Sequence, residues 1–171
     1  MDGRLAILWL LTSLGDMQVS ECETGCLARN DAPERVAVQF ADVQFNTASI
    51  SDELFLSYDA PYRFGPFQPT AAISFTGFDG GWVGAGAKWT TQSLWDNPLF
   101  FETSFMPGYH WQGSGPDLGG NLHFRSALTV GYAFENGNTF SITYDHRSNG
   151  DRLPVNPGME TLALRYAIAL D

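Results

Sequence analysis

From Val36 onward, large apolar residues alternate with small or polar ones at a period of two, and this constrains the fold more than any other feature of the chain. In the stretch 122–134, Leu122, Phe124, Leu128, Val130, Tyr132 and Phe134 share one face, while His123, Arg125, Thr129 and Gly131 share the other. The stretch 159–170 repeats the pattern, with Leu162, Leu164, Tyr166, Ile168 and Leu170 opposing Thr161, Ala163, Arg165, Ala167 and Ala169. Such alternation belongs to a β-strand with one apolar face, because successive side chains of a strand point to opposite sides. Eight segments of this kind run at about 36–46, 53–62, 70–78, 82–92, 99–109, 122–134, 139–148 and 159–170. Turn chemistry separates several of them: Asp79-Gly80-Gly81, Asp96-Asn97-Pro98, Gly113-Ser114-Gly115-Pro116 and Asn136-Gly137-Asn138.

What lies against the apolar face decides between a soluble sheet and a membrane barrel. The 171 residues suffice for one domain with a sizeable core, and 44% hydrophobic residues is too many for a disordered chain. No apolar run approaches the roughly 20 residues of a membrane-spanning helix, but a closed β-barrel spreads its membrane signal over alternating segments. Charged residues make up 16%, below the roughly 25% of an ordinary soluble domain. The 9 Lys+Arg against 19 Asp+Glu argue against a nucleic-acid partner, since binding phosphates takes clustered cations.

A soluble sandwich, or a lipocalin-like carrier, would alternate as well, with its apolar face inside. Three features favour lipid outside: an export-type leader, aromatics near strand ends (Tyr62, Phe64, Trp82, Trp89, Trp95, Trp111), and small inner-face residues such as Gly84 and Gly86. The expectation is an all-β, eight-stranded antiparallel up-and-down transmembrane β-barrel over residues 33–171, in the bacterial outer membrane. Lys88, Glu102, His123 and Arg125 are expected to be interior barrel charges, and Asp145 to pair inside with Arg125 or Arg165. His110, beside Trp111, reads as a solvated loop residue. The terminal Asp171 departs from the final aromatic common in outer-membrane barrels.

Residues 1–32 differ from the rest and read as an export signal and leader. Arg4 precedes Leu5-Ala6-Ile7-Leu8-Trp9-Leu10-Leu11, the length of a signal-peptide h-region, although no clean A-x-A cleavage site follows. A buried first helix is the alternative. Cys22 and Cys26 are the only cysteines, and two thiols without a nearby His are a poor zinc site, since zinc takes four ligands. In an exported chain they suit a small local disulfide, or a segment partly lost on processing.

The densest polar cluster is Tyr144-Asp145-His146-Arg147-Ser148-Asn149-Gly150, followed by Asn156-Pro157-Gly158-Met159-Glu160. By parity, His146 and Ser148 lie on the apolar side of the seventh segment with Phe140 and Ile142, and Glu160 lies on that side of the eighth with Leu162. Ionisable groups facing hydrocarbon are unfavourable unless they pair with one another, so the placement marks a functional site. The three residue types are those of a nucleophile (Ser148), a general base and acid (His146) and a carboxylate that orients the base (Glu160). Asn149 and Gly150 are the nearest candidates for an oxyanion hole. Such a set implies acyl transfer, and on a lipid-facing wall the ester should belong to a lipid.

These residues also carry a family resemblance. His146-Arg147-Ser148-Asn149, then Asn156-Pro157-Gly158, Glu160 and the alternating last strand, resemble the signature of the outer-membrane lipid A 3-O-deacylase (PagL) family. Phe105-Met106-Pro107-Gly108-Tyr109 is a looser likeness. The resemblance implies that H-x-S-N supplies base and nucleophile and that a Glu fourteen positions after the His completes the triad; here 160 − 146 = 14. It further implies an eight-stranded outer-membrane barrel that hydrolyses the 3-O-acyl ester of lipid A without a metal or other cofactor. Its partners would be lipid A or lipopolysaccharide as substrate and the surrounding outer-membrane lipids, with a homodimer left open. The rivals are a phospholipid esterase and a non-catalytic structural or lipid-binding barrel. If both termini face the periplasm, the seventh strand runs outward and its loop with the eighth lies at the cell surface.

Overall fold

The computed structural model describes residues 3–23 and 25–170. Helix α1 spans Arg4–Asp16 and passes into a π-helical turn at Met17–Glu21, after which Cys22 and Cys26 form a disulfide. The strands follow in chain order: β1 (Arg29–Asp31), β2 (Arg35–Phe45), β3 (Ala48–Asp59), β4 (Tyr62–Phe64), β5 (Gln68–Thr76), β6 (Gly81–Thr90), β7 (Leu99–Trp111), β8 (Leu122–Ala133), β9 (Thr139–Ser148) and β10 (Met159–Ala169). Eight of them close into a barrel in the order β10-β2-β3-β5-β6-β7-β8-β9, and every neighbouring pair is antiparallel. The seam is long: β10 pairs with β2 from Glu160 opposite Gln44 to Ala169 opposite Arg35. Closure leaves no free sheet edge, the condition for carrying strands through hydrocarbon. The two short strands β1 and β4, which the alternation did not announce, pair as a separate ribbon.

The two faces of the barrel divide as the alternation requires. Phe40, Leu56, Leu99, Phe101, Ile142, Leu162 and Leu164 stand exposed on the outside as an apolar belt. An eight-stranded barrel is just wide enough for side chains to fill, so interior charges must find partners. They do: Lys88 reaches Asp59 at 2.7 Å and Glu102 at 2.9 Å, and Arg165 reaches Glu102 at 2.7 Å and Asp59 at 3.2 Å. Arg125 pairs with Asp145 at 2.7 Å, and Arg147 forks onto both oxygens of Glu53 at 2.9 and 3.1 Å. The network fills the lumen and leaves a packed, ionic core instead of a pore.

Three aromatic positions differ from the sequence expectation. Trp82 points into the lumen and is fully buried, stacked 6.3 Å from Phe55. Its ring takes the room left by Gly84 and Gly108, where a Cβ would fall within 2.3 and 2.4 Å of the indole. Trp89 faces outward but is covered by α1, its Nε1–H donating to Asp16 Oδ2 at 2.8 Å. His110 is a strand residue and no solvated loop histidine: it lies within β7, buried and stacked 4.5 Å from His123. The short β5–β6 turn is roofed by the long β7–β8 loop, with the Ser114 N–H donating to Phe78 O at 2.8 Å. Asp171 lies outside the described residues.

Candidate active site

Strands β9 and β10 are joined by residues 149–158, and the polar cluster lies where they meet. Register sets the geometry first. Across the barrel wall, Phe105 is opposite Ser126, Ser126 opposite His146, His146 opposite Glu160, and Glu160 opposite Gln44. Opposed outward side chains of an antiparallel pair lie about 5 Å apart at Cβ, so an imidazole and a carboxylate placed there meet. His146 Nδ1 and Glu160 Oε1 are 3.0 Å apart. Ser148 lies one outward position further along β9, opposite Phe124.

His146 and Ser148 point out of the barrel, yet they are only 5% and 4% exposed. They line a cavity of about 240 Å³ on the outer wall with Phe105, Phe124, Ser126 and Gly150. His146 Nε2 is buried there and makes no hydrogen bond among the described residues. A buried nitrogen in that state is costly unless something is meant to meet it. Ser148 Oγ accepts a long hydrogen bond, 3.4 Å, from the Gly150 N–H. Apo sites often show loose catalytic hydrogen bonds that tighten only with substrate.

The strand end is anchored from inside. Arg147, between His146 and Ser148, points into the lumen and holds Glu53 of β3 bidentately, which pins the backbone while its two neighbours project outward. The connection is braced by Asn156, whose Oδ1 accepts the Asn149 N–H at 3.0 Å and whose Nδ2 donates to Asp151 Oδ1 at 2.7 Å. Asn149 is thus committed elsewhere than expected. Its amide Nδ2 donates to the carbonyls of Leu118, Gly119 and Val155, tying the β7–β8 loop to the β9–β10 connection. Of the two expected oxyanion donors, the Gly150 N–H meets the serine hydroxyl, while the Asn149 N–H is held by Asn156.

Sequence reasoning assigned no role to Gly158 beyond its place in the motif. It adopts φ +75°, and a Cβ on it would fall 2.7 Å from His146 Cε1, so the backbone here packs flat against the imidazole. The only available signal was a Pro-Gly pair directly before the last strand. Among the described residues, no three His, Cys, Asp or Glu side chains converge on a metal position.

A closed eight-stranded barrel with an apolar outer belt and an ionic, filled lumen is an outer-membrane β-barrel. The family model for lipid A 3-O-deacylase (PagL) matches residues 52–169, well over half of the chain. The chain belongs to that family of outer-membrane hydrolases acting on lipid A. Among solved structures it is similar to the crystal structure of the outer membrane enzyme PagL, with 18% identity and a TM-score of 0.62, covering 80% of this chain and 99% of that one. It is also similar in fold to Neisserial surface protein A, with 13% identity, a TM-score of 0.54 and coverage of 84% and 99%. A de novo designed transmembrane β-barrel resembles it at 9% identity and a TM-score of 0.54, covering 82% and 98%. No curated protein matches it in sequence.

Proposed function

We propose that this barrel is a serine esterase that removes the 3-O-acyl chain of lipid A, with Ser148, His146 and Glu160 as its working groups. The observation that carries the reading is the His146–Glu160 pair on the lipid-facing wall, whose second imidazole nitrogen stays open beside Ser148 in an apolar cavity. The Glu160 carboxylate holds the proton on Nδ1, so that Nε2 is the basic nitrogen. Ser148 Oγ attacks the ester carbonyl while Nε2 takes its proton, and Glu160 stabilises the imidazolium that results. The oxyanion is met by the Gly150 N–H; Asn149 could add a donor only by releasing its N–H from Asn156. Collapse of the tetrahedral adduct breaks the C–O bond, and His146 returns its proton to the departing sugar hydroxyl. Water, deprotonated by His146, then splits the acyl-serine and frees the fatty acid. All three groups come from one hairpin, so a single chain carries the complete set.

With β2 starting and β10 ending on the periplasmic side, the β9–β10 connection reaches the outer leaflet, where lipid A resides. The test is mass spectrometry of lipid A from cells expressing the chain. Loss of one hydroxyacyl group, absent with Ser148→Ala and with His146→Ala, is the expected outcome. Unchanged lipid A with correctly inserted wild-type protein would overturn the reading, and phospholipid cleavage in its place would move it to the other ester.

A further inference from the structure

Outside residues 1–32 the chain has seven Lys and Arg side chains, and all but one are committed. Lys88, Arg125, Arg147 and Arg165 are buried in the lumen on their carboxylate partners. Arg35 donates to Gly137 O at 3.1 Å and to Gln92 Oε1 at 3.0 Å, and Arg63 pairs with Glu21 and donates to Gly65 O at 2.6 Å. Both lie at the end of the barrel where β2 starts and β3 finishes. The remaining cation is Arg152. It is exposed in the β9–β10 connection and makes no hydrogen bond or ion pair among the described residues.

The loop presents that side chain from a fixed base. The bond from the Asn149 N–H to Asn156 Oδ1 closes the loop below it. Asp151 turns at φ +58° and its Oδ1 accepts from Asn156 Nδ2, while Leu153 packs on Gly120, where a Cβ would fall 2.6 Å from Leu153 Cδ1. Both neighbours of Arg152 are thus held, and the guanidinium between them stands in solvent. Arg152 lies four residues past Ser148, beyond the end of β9. A lipid whose ester reaches Ser148 with its chains along the wall has its head group at the level of this loop.

The rest of that rim is acidic. Asp42, Asp52, Asp79, Asp117 and Asp151 lie at the same end of the barrel as Glu160, and outside the leader Arg152 is the one cation among the described residues there. Such a rim repels a polyanionic head group everywhere except at Arg152. A guanidinium offers a planar fork of donors that a phosphate meets at two oxygens. Lipid A is an acylated, phosphorylated glucosamine disaccharide, so ester and phosphate stand on one head group.

We propose that Arg152 binds a phosphate of the lipid A head group and so selects a phosphorylated glycolipid ester over an uncharged one. This rests on the esterase reading above. The first measurement is binding to Ser148→Ala protein in neutral detergent, which needs no turnover, with lipid A and chemically dephosphorylated lipid A as probes. Lipid A should bind about tenfold more tightly, since one charge-assisted hydrogen bond is worth roughly that factor. Adding Arg152→Gln should abolish the preference, and Arg152→Lys should keep part of it. Equal binding of the two lipids by Ser148→Ala protein, or a preference that Arg152→Gln leaves unchanged, overturns the proposal. A preference that survives Arg152→Gln and is removed by a chelator assigns the phosphate to divalent cations on the rim carboxylates, and overturns it as well.

The second measurement is turnover. Arg152→Gln alone should raise KM for lipid A about tenfold at near-wild-type kcat, the mark of a contact made equally to substrate and transition state, with no such rise for dephosphorylated lipid A. Because Arg152 has no partner in the fold, the heat-modifiable gel shift should stay as in wild type. An equal loss on both lipids would show that the residue only shapes the loop, and overturns the proposal. Wild-type protein that cleaves neither lipid would sink the esterase reading, and the binding comparison would still decide the role of Arg152.

Discussion

Two sets of polar side chains lie one residue apart along β9 and face opposite sides of the wall. Asp145 and Arg147 point inward and are wholly enclosed, with Arg125, Glu53 and Thr161 supplying partners at 2.6 to 3.1 Å. His146 and Ser148 point outward, and there one nitrogen is left open and one hydroxyl is held by a single long bond. The inner set is charge-paired and holds the wall together, although Asp145 Oδ1 and the Nε atoms of Arg125 and Arg147 make no hydrogen bond among the described residues. The outer set is incompletely paired, which is what the proposed esterase reading asks of it. Polarity alone does not mark a site on such a barrel; incomplete pairing on the apolar side does.

The difference can be broken from either side. Ser148→Ala should lower deacylation by roughly 10³-fold or more, with the heat-modifiable gel shift unchanged, because the serine supports chemistry and not the wall. Lys88→Met leaves Glu102 with Arg165, and Asp59 with Arg165 and the Thr70 hydroxyl, and should cost about 3–5 kcal/mol of stability. Its signature is a lower unfolding midpoint in detergent at near-normal activity, and loss of activity without loss of stability would refute the division of labour. Glu160→Gln should keep the fold and slow turnover by roughly 10- to 100-fold, less than loss of the serine, because an orienting group contributes less than the nucleophile. Gly158→Ala sharpens the comparison at its boundary. A Cβ at φ +75° would press on His146, and about a tenfold loss of activity with about 1 kcal/mol of destabilisation is expected. Equal activity for this variant would show that the imidazole has room to move.

Much of this was legible in the sequence because barrels expose their logic through parity. The side-chain period of two placed His146, Ser148 and Glu160 on one face, and the interior pairing of Asp145 with Arg125 followed from the opposite parity. Parity says which side a residue faces but not what crosses the lumen to meet it. Trp82 was therefore misread as part of an aromatic girdle, because the space that admits its ring is made by Gly84 and by Gly108 on the neighbouring strand. His110 was read as a loop residue because β7 runs two residues past the expected strand. The Asn149 side chain ties loops at Leu118 and Val155 that no local pattern brings beside it.

By itself the sequence determined the barrel, the sidedness of its residues and the three groups of the proposed triad, all of which depend on local alternation and the spacing within one hairpin. Tertiary structure alone decided which charges neutralise one another across the lumen, which carbonyls the Asn149 amide ties together, and where α1 lies. Those outcomes depend on contacts between segments as far apart as Glu53 and Arg147 or Thr12 and Thr103, which closure of the barrel and docking of the helix bring together and no local pattern encodes.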